Sequence, residues 1–227
     1  MNHRNYDQEL RKRLEDEKEY GKHLLLHSCC APCSSYVLEF LRQYYRITVF
    51  YYNPNITEEA EYQKRVEEEK RLIGAYNALP DCGEKVSEEK GAFASAFPIE
   101  IVEGEYHTEL FYEIAKDLEN CPEGGERCFR CYALRLRETA KQAATVGADY
   151  FTTTLTISPL KNAQKLNEIG QQMAEEYNIP WLNSDFKKKG GYQRSIELSA
   201  QYDLYRQDYC GCIYSKRAGL SRYVNDY

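Results

Sequence analysis

The sequence has no apolar run long enough for a membrane-spanning helix, and residues 1–22 are polar and charged with no hydrophobic signal core. The expectation is a soluble cytoplasmic protein without a membrane partner. Internal repeats and low-complexity segments are lacking too, which argues against a solenoid or a disordered linker. An excess of positive charge is missing as well. With 30 Lys and Arg against 36 Asp and Glu, the net charge is −6, so the molecule as a whole is no electrostatic sponge for nucleic acid.

Cysteine, in contrast, is plentiful: there are nine in 227 residues. In a reducing compartment such cysteines read as thiols or metal ligands before they read as disulfides. Cys29-Cys30-Ala31-Pro32-Cys33 follows the apolar run Leu24–Leu26, and Cys128-Phe129-Arg130-Cys131 comes roughly a hundred positions later. Adjacent thiolates at Cys29 and Cys30 suit two different irons of a cube, and Cys128 with Cys131 supply the other two ligands of a 4Fe-4S cluster. A structural zinc with the same four ligands is the competing reading, because C-x-x-C is a routine zinc half-site. The adjacent pair favours the cluster, since zinc sites usually space their ligands.

Cys33 stands just inside an expected helix start, where the dipole and free N–H groups lower a thiol pKa. It reads as a reactive thiolate, as a ligand to a second metal, or as a small buried residue. His27 reads as a ligand, a proton donor or a satisfied core histidine. Across Cys210-Gly211-Cys212 a disulfide would close a very small, strained ring and act as a reversible two-electron store; two free thiols are the plainer alternative. Cys82 and Cys121 have no partner spacing and are read as free.

Strand, loop and helix are expected at Leu24–Leu26, the cysteine loop, and Val37, Leu38 and Leu41, with Pro32 near the helix start. Ile47–Tyr52 reads as a strand stopped by Asn53-Pro54-Asn55, and residues 58–76 as a helix. Pro98–Val102 reads as a third strand, followed by a helix through Leu110, Ile114 and Leu118. A break at 121–125 precedes a helix over roughly 131–145; Tyr150–Thr156 is a further strand, and a helix runs through Leu166 and Ile169. The alternation predicts an α/β fold with a mainly parallel sheet, ligands gathering at the carboxyl ends of its strands. The expected division is a polar extension at 1–22, an α/β domain at 23–185 and a helical C-terminal extension at 186–227.

Charge is segregated along the chain. Glu58, Glu59, Glu61, Glu67, Glu68 and Glu69 lie in one helix, while Arg127, Arg130, Arg135, Arg137 and Lys141 surround the second cysteine pair. A local basic patch steers a polyanion even on an acidic protein; the plain reading is a solvated face. Lys187-Lys188-Lys189-Gly190-Gly191 reads as a phosphate cradle or a surface turn, and Thr152–Ser158 as a source of ligand-facing hydroxyls or an ordinary strand. The 21 tyrosines include candidates for stacking on unpaired bases, though packing accounts for most.

His27-Ser28-Cys29-Cys30-Ala31-Pro32-Cys33, Asn53-Pro54-Asn55-Ile56, Glu61-Tyr62-x-x-Arg65, Glu123-Gly124-Gly125-x-Arg127-Cys128-x-x-Cys131, Thr154-Leu155-x-x-Ser158-Pro159 and Tyr209-Cys210-Gly211-Cys212 together resemble epoxyqueuosine reductases of the QueH type, over about Leu24 to Ser215. The resemblance implies a Rossmann-like fold related to the nucleotide α-hydrolases. It also implies two-electron removal of the epoxide oxygen of epoxyqueuosine at the tRNA wobble position, with electrons from a donor the sequence does not identify. By motif, Cys29, Cys30, Cys128 and Cys131 would hold the 4Fe-4S cluster and Cys210 with Cys212 would form a redox-active disulfide. The family is associated with a second iron or other metal ion, for which Cys33 is the candidate ligand. Arg127, Arg130, Arg135, Lys187, Lys188 and Lys189 are the expected tRNA-binding residues. The Ser-Gly-Gly-x-Asp-Ser phosphate loop of ATP-using relatives is absent, so no ATP chemistry is expected. The other classes that fit are a tRNA sulfur-transferase-like enzyme and a zinc-stabilised RNA-binding module without catalysis.

Overall fold

The computed structural model describes residues 4–79 and 96–216; Cys82 lies outside them. Strand β1 (His23–Ser28) is buried from Leu24 onward. Leu24 and Leu26 enter one apolar cluster and Leu25 another, as the two-residue period of a strand requires of a sheet covered on both faces. On the first face lie α1 (Tyr6–Leu14), α2 (Ala31–Leu41) and α3 (Glu59–Asn77), through Leu10, Leu14, Val37, Leu38, Leu41, Leu72, Ile73 and Tyr76. On the second lie α5 (Glu126–Thr145) and α6 (Ala163–Tyr177), through Tyr132, Leu136, Ala140, Leu166, Ile169 and Met173.

The remaining strands are β2 (Arg46–Tyr51), β3 (Ile99–Glu103) and β4 (Tyr150–Thr153). The four-stranded sheet has the order β3-β2-β1-β4 and every pair is parallel. Trp181 extends it by a parallel bridge to Phe151. From β1 the chain moves outward through β2 and β3, then returns to the other side of β1 with β4. That reversal makes the carboxyl ends of β1 and β4 the topological switch point, the position at which α/β sheets take ligands.

Three boundaries differ from the sequence expectation, each for a local reason. β4 stops at Thr153, whose side chain accepts a hydrogen bond from Leu155 N and caps a 3-10 turn at Thr154–Ile157. α4 (Thr108–Ala115) ends before Leu118, because Asp117 has a left-handed φ of 63°. α5 begins at Glu126, not near Cys131, because Gly125 is its N-cap and takes the N–H groups of Cys128 and Phe129. After residue 185, α7 (Gly191–Gln201) packs on α2, and Phe186 and Leu204 join the first-face cluster. Tyrosine mostly packs: Tyr45, Tyr51 and Tyr76 are among the largest fully buried side chains. Among the described residues no helix is long and apolar enough to cross a membrane.

Gly170, inside α6, faces the ring of Trp181, and a Cβ there would overlap the indole. Gly170→Ala should therefore destabilise the protein by about 1–3 kcal/mol through overpacking, although alanine is the better helix former by about 1 kcal/mol. Urea unfolding of the two proteins checks this.

Candidate metal centre

The first cysteine group lies where β1 runs into α2. Ser28 ends the strand, Cys30 is the N-cap, and Pro32 occupies the helix start, where its missing N–H costs nothing. Cys33 N and Ser34 N both donate to Cys30 O. The turn gathers three sulfurs: Cys29, Cys30 and Cys33 lie within 4.8 Å of one another, with Cys29 Sγ and Cys30 Sγ 3.7 Å apart. Cys29 is the sulfur that ionises first. Hydrogen bonds from Cys30 and Cys33 hold its thiol well below the ordinary value, with Arg135 adding to the effect. Cys33 is instead pushed well above its ordinary value, because its S–H serves Cys29 and Cys30. This corrects the expectation that the helix start lowers it. Thr154 Oγ1 ties the loop to the end of β4, accepting from Cys29 N at 3.3 Å and donating to Cys29 Sγ at 3.6 Å.

The second group sits on the first turns of α5. Cys128 and Cys131 are three residues apart and thus share a helix face. Gly124 N donates to Cys128 Sγ at 3.3 Å. They fall outside the compact group of three, and the link between the two is Arg135, one turn beyond Cys131 and 4 % exposed. Its guanidinium faces Cys131, Cys29 and Cys210; Cys29 and Cys210 are held well below the ordinary thiol value and offset the cost of its burial, whereas burial pushes the Cys131 thiol up to about 11. Arg135 Nη2 donates to Asn53 Oδ1 at 2.5 Å, and Asn53 Nδ2 donates to Ser28 O. Arg135 Nε lies 3.2 Å from His27 Nε2. A guanidinium only donates, so Nε2 accepts and His27 Nδ1–H donates to Thr153 Oγ1 at 2.8 Å. The Tyr52 carbonyl, 3.2 Å from the same Nε2, then receives no proton from the ring. Burial and Arg135 push His27 down to about 3, so it is a neutral core histidine.

The third group arrives from the far end of the chain. Thr57 N donates to Gly211 O, Asn55 Nδ2 to Cys210 O, and Arg65 Nη2 to Tyr209 O. Gly211 has φ +108°, and a Cβ there would press on Ile56, so glycine alone fits between the two cysteines. Cys210 Sγ and Cys212 Sγ are free thiols 3.5 Å apart, packed against Cys131 and Phe111. Gln207 Nε2 donates to Cys30 Sγ at 2.7 Å.

The expected basic patch does not form as one surface. Arg127 is 3 % exposed, and its Nη1 donates to the carbonyls of Leu118, Glu119 and Cys121; Arg135 is spent inside the site. Neither presents its head to a phosphate. Arg130 is exposed beside Glu126. Lys187 pairs with Asp185 at 2.5 Å, and Lys189 lines a cleft with Asp7, Gln8 and Arg11 of α1. The glycine N–H expected to cradle a phosphate is committed, Gly191 N donating to Lys188 O. Of the threonine hydroxyls, Thr152, Thr153 and Thr156 bond to Leu182, His27 and Ser184, leaving Thr154 to the cysteines.

Sequence reasoning passed over Lys161, Gln207 and the individuality of Glu69. Lys161 carries no motif signal, and Glu69 is hidden in a run of glutamates. Among the described residues, neither buried Glu69 oxygen has a hydrogen-bond partner. The hydroxyls beside it are engaged elsewhere, Ser28 and Ser34 with each other at 2.6 Å and Ser34 with Cys30 O at 3.1 Å. Burial pushes the Glu69 carboxyl up to about 8, so it is neutral at physiological pH.

A family model for epoxyqueuosine reductase QueH matches residues 24–218, most of the chain and all three cysteine groups. The chain belongs to the QueH family. A Staphylococcus epidermidis epoxyqueuosine reductase QueH is 42% identical over 215 residues, covering 93% of this chain and 84% of the relative. Proteins of the same name from Streptococcus pyogenes, 37% identical with 94% and 78% covered, and Thermotoga maritima, 35% identical with 88% and 96% covered, extend the match.

For this QueH chain the Glu69 carboxyl makes a pH prediction. Its pKa is about 8 folded and about 4.3 unfolded. The native state thus keeps a proton that the unfolded state has lost across that window, and stability falls as pH rises through it, by up to ~1.4 kcal/mol per pH unit. Glu69→Gln should flatten this part of the slope, as measured by denaturant unfolding of metal-free protein between about pH 5 and 8.

Proposed function

We infer that the chain reduces epoxyqueuosine to queuosine in tRNA, using thiol and metal chemistry at the β1–β4 edge. The observation that carries this reading is the convergence of cysteines from three distant segments on one buried guanidinium: Cys29, Cys131 and Cys210 all face Arg135. The net change breaks the two C–O bonds of the epoxide and forms a C=C bond, consuming two electrons and two protons and releasing water.

Cys29, Cys30, Cys128 and Cys131 would hold a 4Fe-4S cluster. The donor set suits it: soft thiolate ligands, a peptide N–H on Cys128 Sγ and a buried arginine to balance negative charge. Cys33, the third sulfur of the compact group, is free to bind a second metal ion. Bound there, these groups would supply electrons singly and a Lewis acid for the developing oxyanion. Cys210 and Cys212 are close enough to pass between dithiol and disulfide, and so to release two electrons. An external reductant then restores them. Asn55, Thr57 and Arg65 hold the segment that carries that pair, and Thr154 fixes the Cys29 loop. The substrate base, splayed from the anticodon loop, would enter at this edge. Arg130, exposed on the first turns of α5, is our candidate for a phosphate contact. Lys187 pairs with Asp185, and Lys189 lines a cleft with α1 instead.

Iron, zinc and acid-labile sulfide per chain, measured on protein purified without oxygen, test the reading together with an assay on epoxyqueuosine tRNA. About four irons and four sulfides are expected, as a cubane requires, with turnover. Cys210→Ser should keep iron and sulfide while abolishing multiple turnover. Stoichiometric zinc without sulfide, persisting after anaerobic reconstitution, would move the chain to the zinc-stabilised RNA-binding class.

A further inference from the structure

Just before Cys210 the tail touches the first cysteine group directly: Gln207 Nε2 donates to Cys30 Sγ at 2.7 Å, across 177 positions of sequence. The backbone on both sides of Gln207 is anchored. Arg71 Nη2 donates to the carbonyls of Tyr202 and Asp203 at 2.9 and 3.0 Å, Tyr205 N donates to Glu68 Oε1 at 2.7 Å, and Arg65 Nη2 donates to Tyr209 O at 3.3 Å. Leu204 is buried in the first-face cluster, and the Tyr205 hydroxyl donates to Glu61 Oε2 at 3.1 Å. An amide presented from a fixed backbone has less freedom left to lose on meeting its partner. Its oxygen, however, goes unused: Gln207 Oε1 is buried with no hydrogen-bond partner among the described residues. The placement costs the fold an unpaired acceptor, and what it gains is an N–H on one cysteine sulfur. Cys128 Sγ and Cys29 Sγ take their donors from Gly124 N and Thr154 Oγ1, both in the sheet domain. The donor to Cys30 comes from the tail that also carries Cys210 and Cys212.

We propose that Gln207 is a positioning residue that couples the charge on Cys30 to the docking of the Cys210 segment, so that a cluster held by Cys30 accepts an electron more readily with the tail in place. The proposal rests on the reading above that Cys30 is an iron ligand. When a one-electron reductant adds charge to such a cluster, part of it falls on the ligand sulfurs. An N–H aimed at a sulfur stabilises that charge, which is how hydrogen bonds to the ligands help to set a cluster's potential. For a hydrogen bond to a charged acceptor, a factor of about ten between the two oxidation states is the expected size. Linkage makes the effect reciprocal: if the docked tail favours the reduced state about tenfold, the reduced state favours the docked tail by the same factor. The Cys210–Cys212 segment is thereby held most firmly at the site when the cluster carries its electron.

The test compares anaerobically reconstituted wild-type protein with Gln207→Leu and Gln207→Glu, titrated with dithionite while the reduced cluster is followed by electron paramagnetic resonance. At a fixed potential the ratio of reduced to oxidised cluster should fall about tenfold in Gln207→Leu, a shift of about 59 mV to more negative potential. Gln207→Glu keeps the length but replaces the donor with a carboxylate, and should shift further in the same direction. Iron and sulfide per chain should match wild type in both. Amide hydrogen exchange over residues 203–212 should be about tenfold slower in reduced than in oxidised wild-type protein, and indifferent to oxidation state in Gln207→Leu. Wild-type potentials in both variants would overturn the proposal alone, with the cluster reading intact. So would loss of iron from both variants, which would make Gln207 structural, or exchange in the wild-type tail that ignores the oxidation state. Wild-type protein that takes up no iron and sulfide would overturn the cluster reading itself, and the proposal with it.

Discussion

The site depends on one buried cation. Arg135 cannot lose its proton, so a guanidinium at the carboxyl edge of the sheet has to be matched by what surrounds it. Neutral His27 from β1 and Asn53 from the loop after β2 satisfy two of its donors, and the sulfurs of Cys29 and Cys210 supply negative charge. The dependence runs both ways. Thiolates buried without a nearby cation would be protonated, and the arginine without them would be an unpaired interior charge. Three strands, α5 and the returning tail thus meet at one electrostatic centre.

Around that centre, side-chain hydrogen bonds to the backbone do the positioning. Asn53 holds the end of β1, Asn55 and Arg65 hold the Cys210 segment, and Thr154 holds the Cys29 loop. Arg127, which as a sequence feature suggested a phosphate contact, instead gathers the carbonyls of the turn before α5. Charged residues near a cysteine motif thus divided into those that build the site and those, such as Arg130, that remain at its rim. Glu69 belongs to neither group: it is a buried carboxyl whose oxygens have no hydrogen-bond partner among the described residues.

Much of the fold was legible because its period is local. Leu24–Leu26 read as a short apolar strand, and Val37, Leu38 and Leu41 as a helix face, since apolar spacing reports which side chains must leave water. The boundaries were less so. Thr153 capping the turn after β4, Gly125 starting α5 and the left-handed Asp117 are single hydrogen bonds or torsions, invisible to a pattern averaged over several residues. The start of α5 matters most, because it puts Cys128 and Cys131 on one helix face with a peptide N–H on Cys128.

By itself the sequence determined the chemistry available: three groups of thiols, a parallel α/β layout whose strand ends carry the first of them, and a glycine between Cys210 and Cys212. Those are properties of residue type and near-neighbour spacing. Only the tertiary structure decided that Cys29 and Cys210 ionise most readily, which arginines are interior, and that His27 is neutral. Charge and pKa are set by what lies within a few ångströms in space, and packing, not sequence distance, chooses those neighbours.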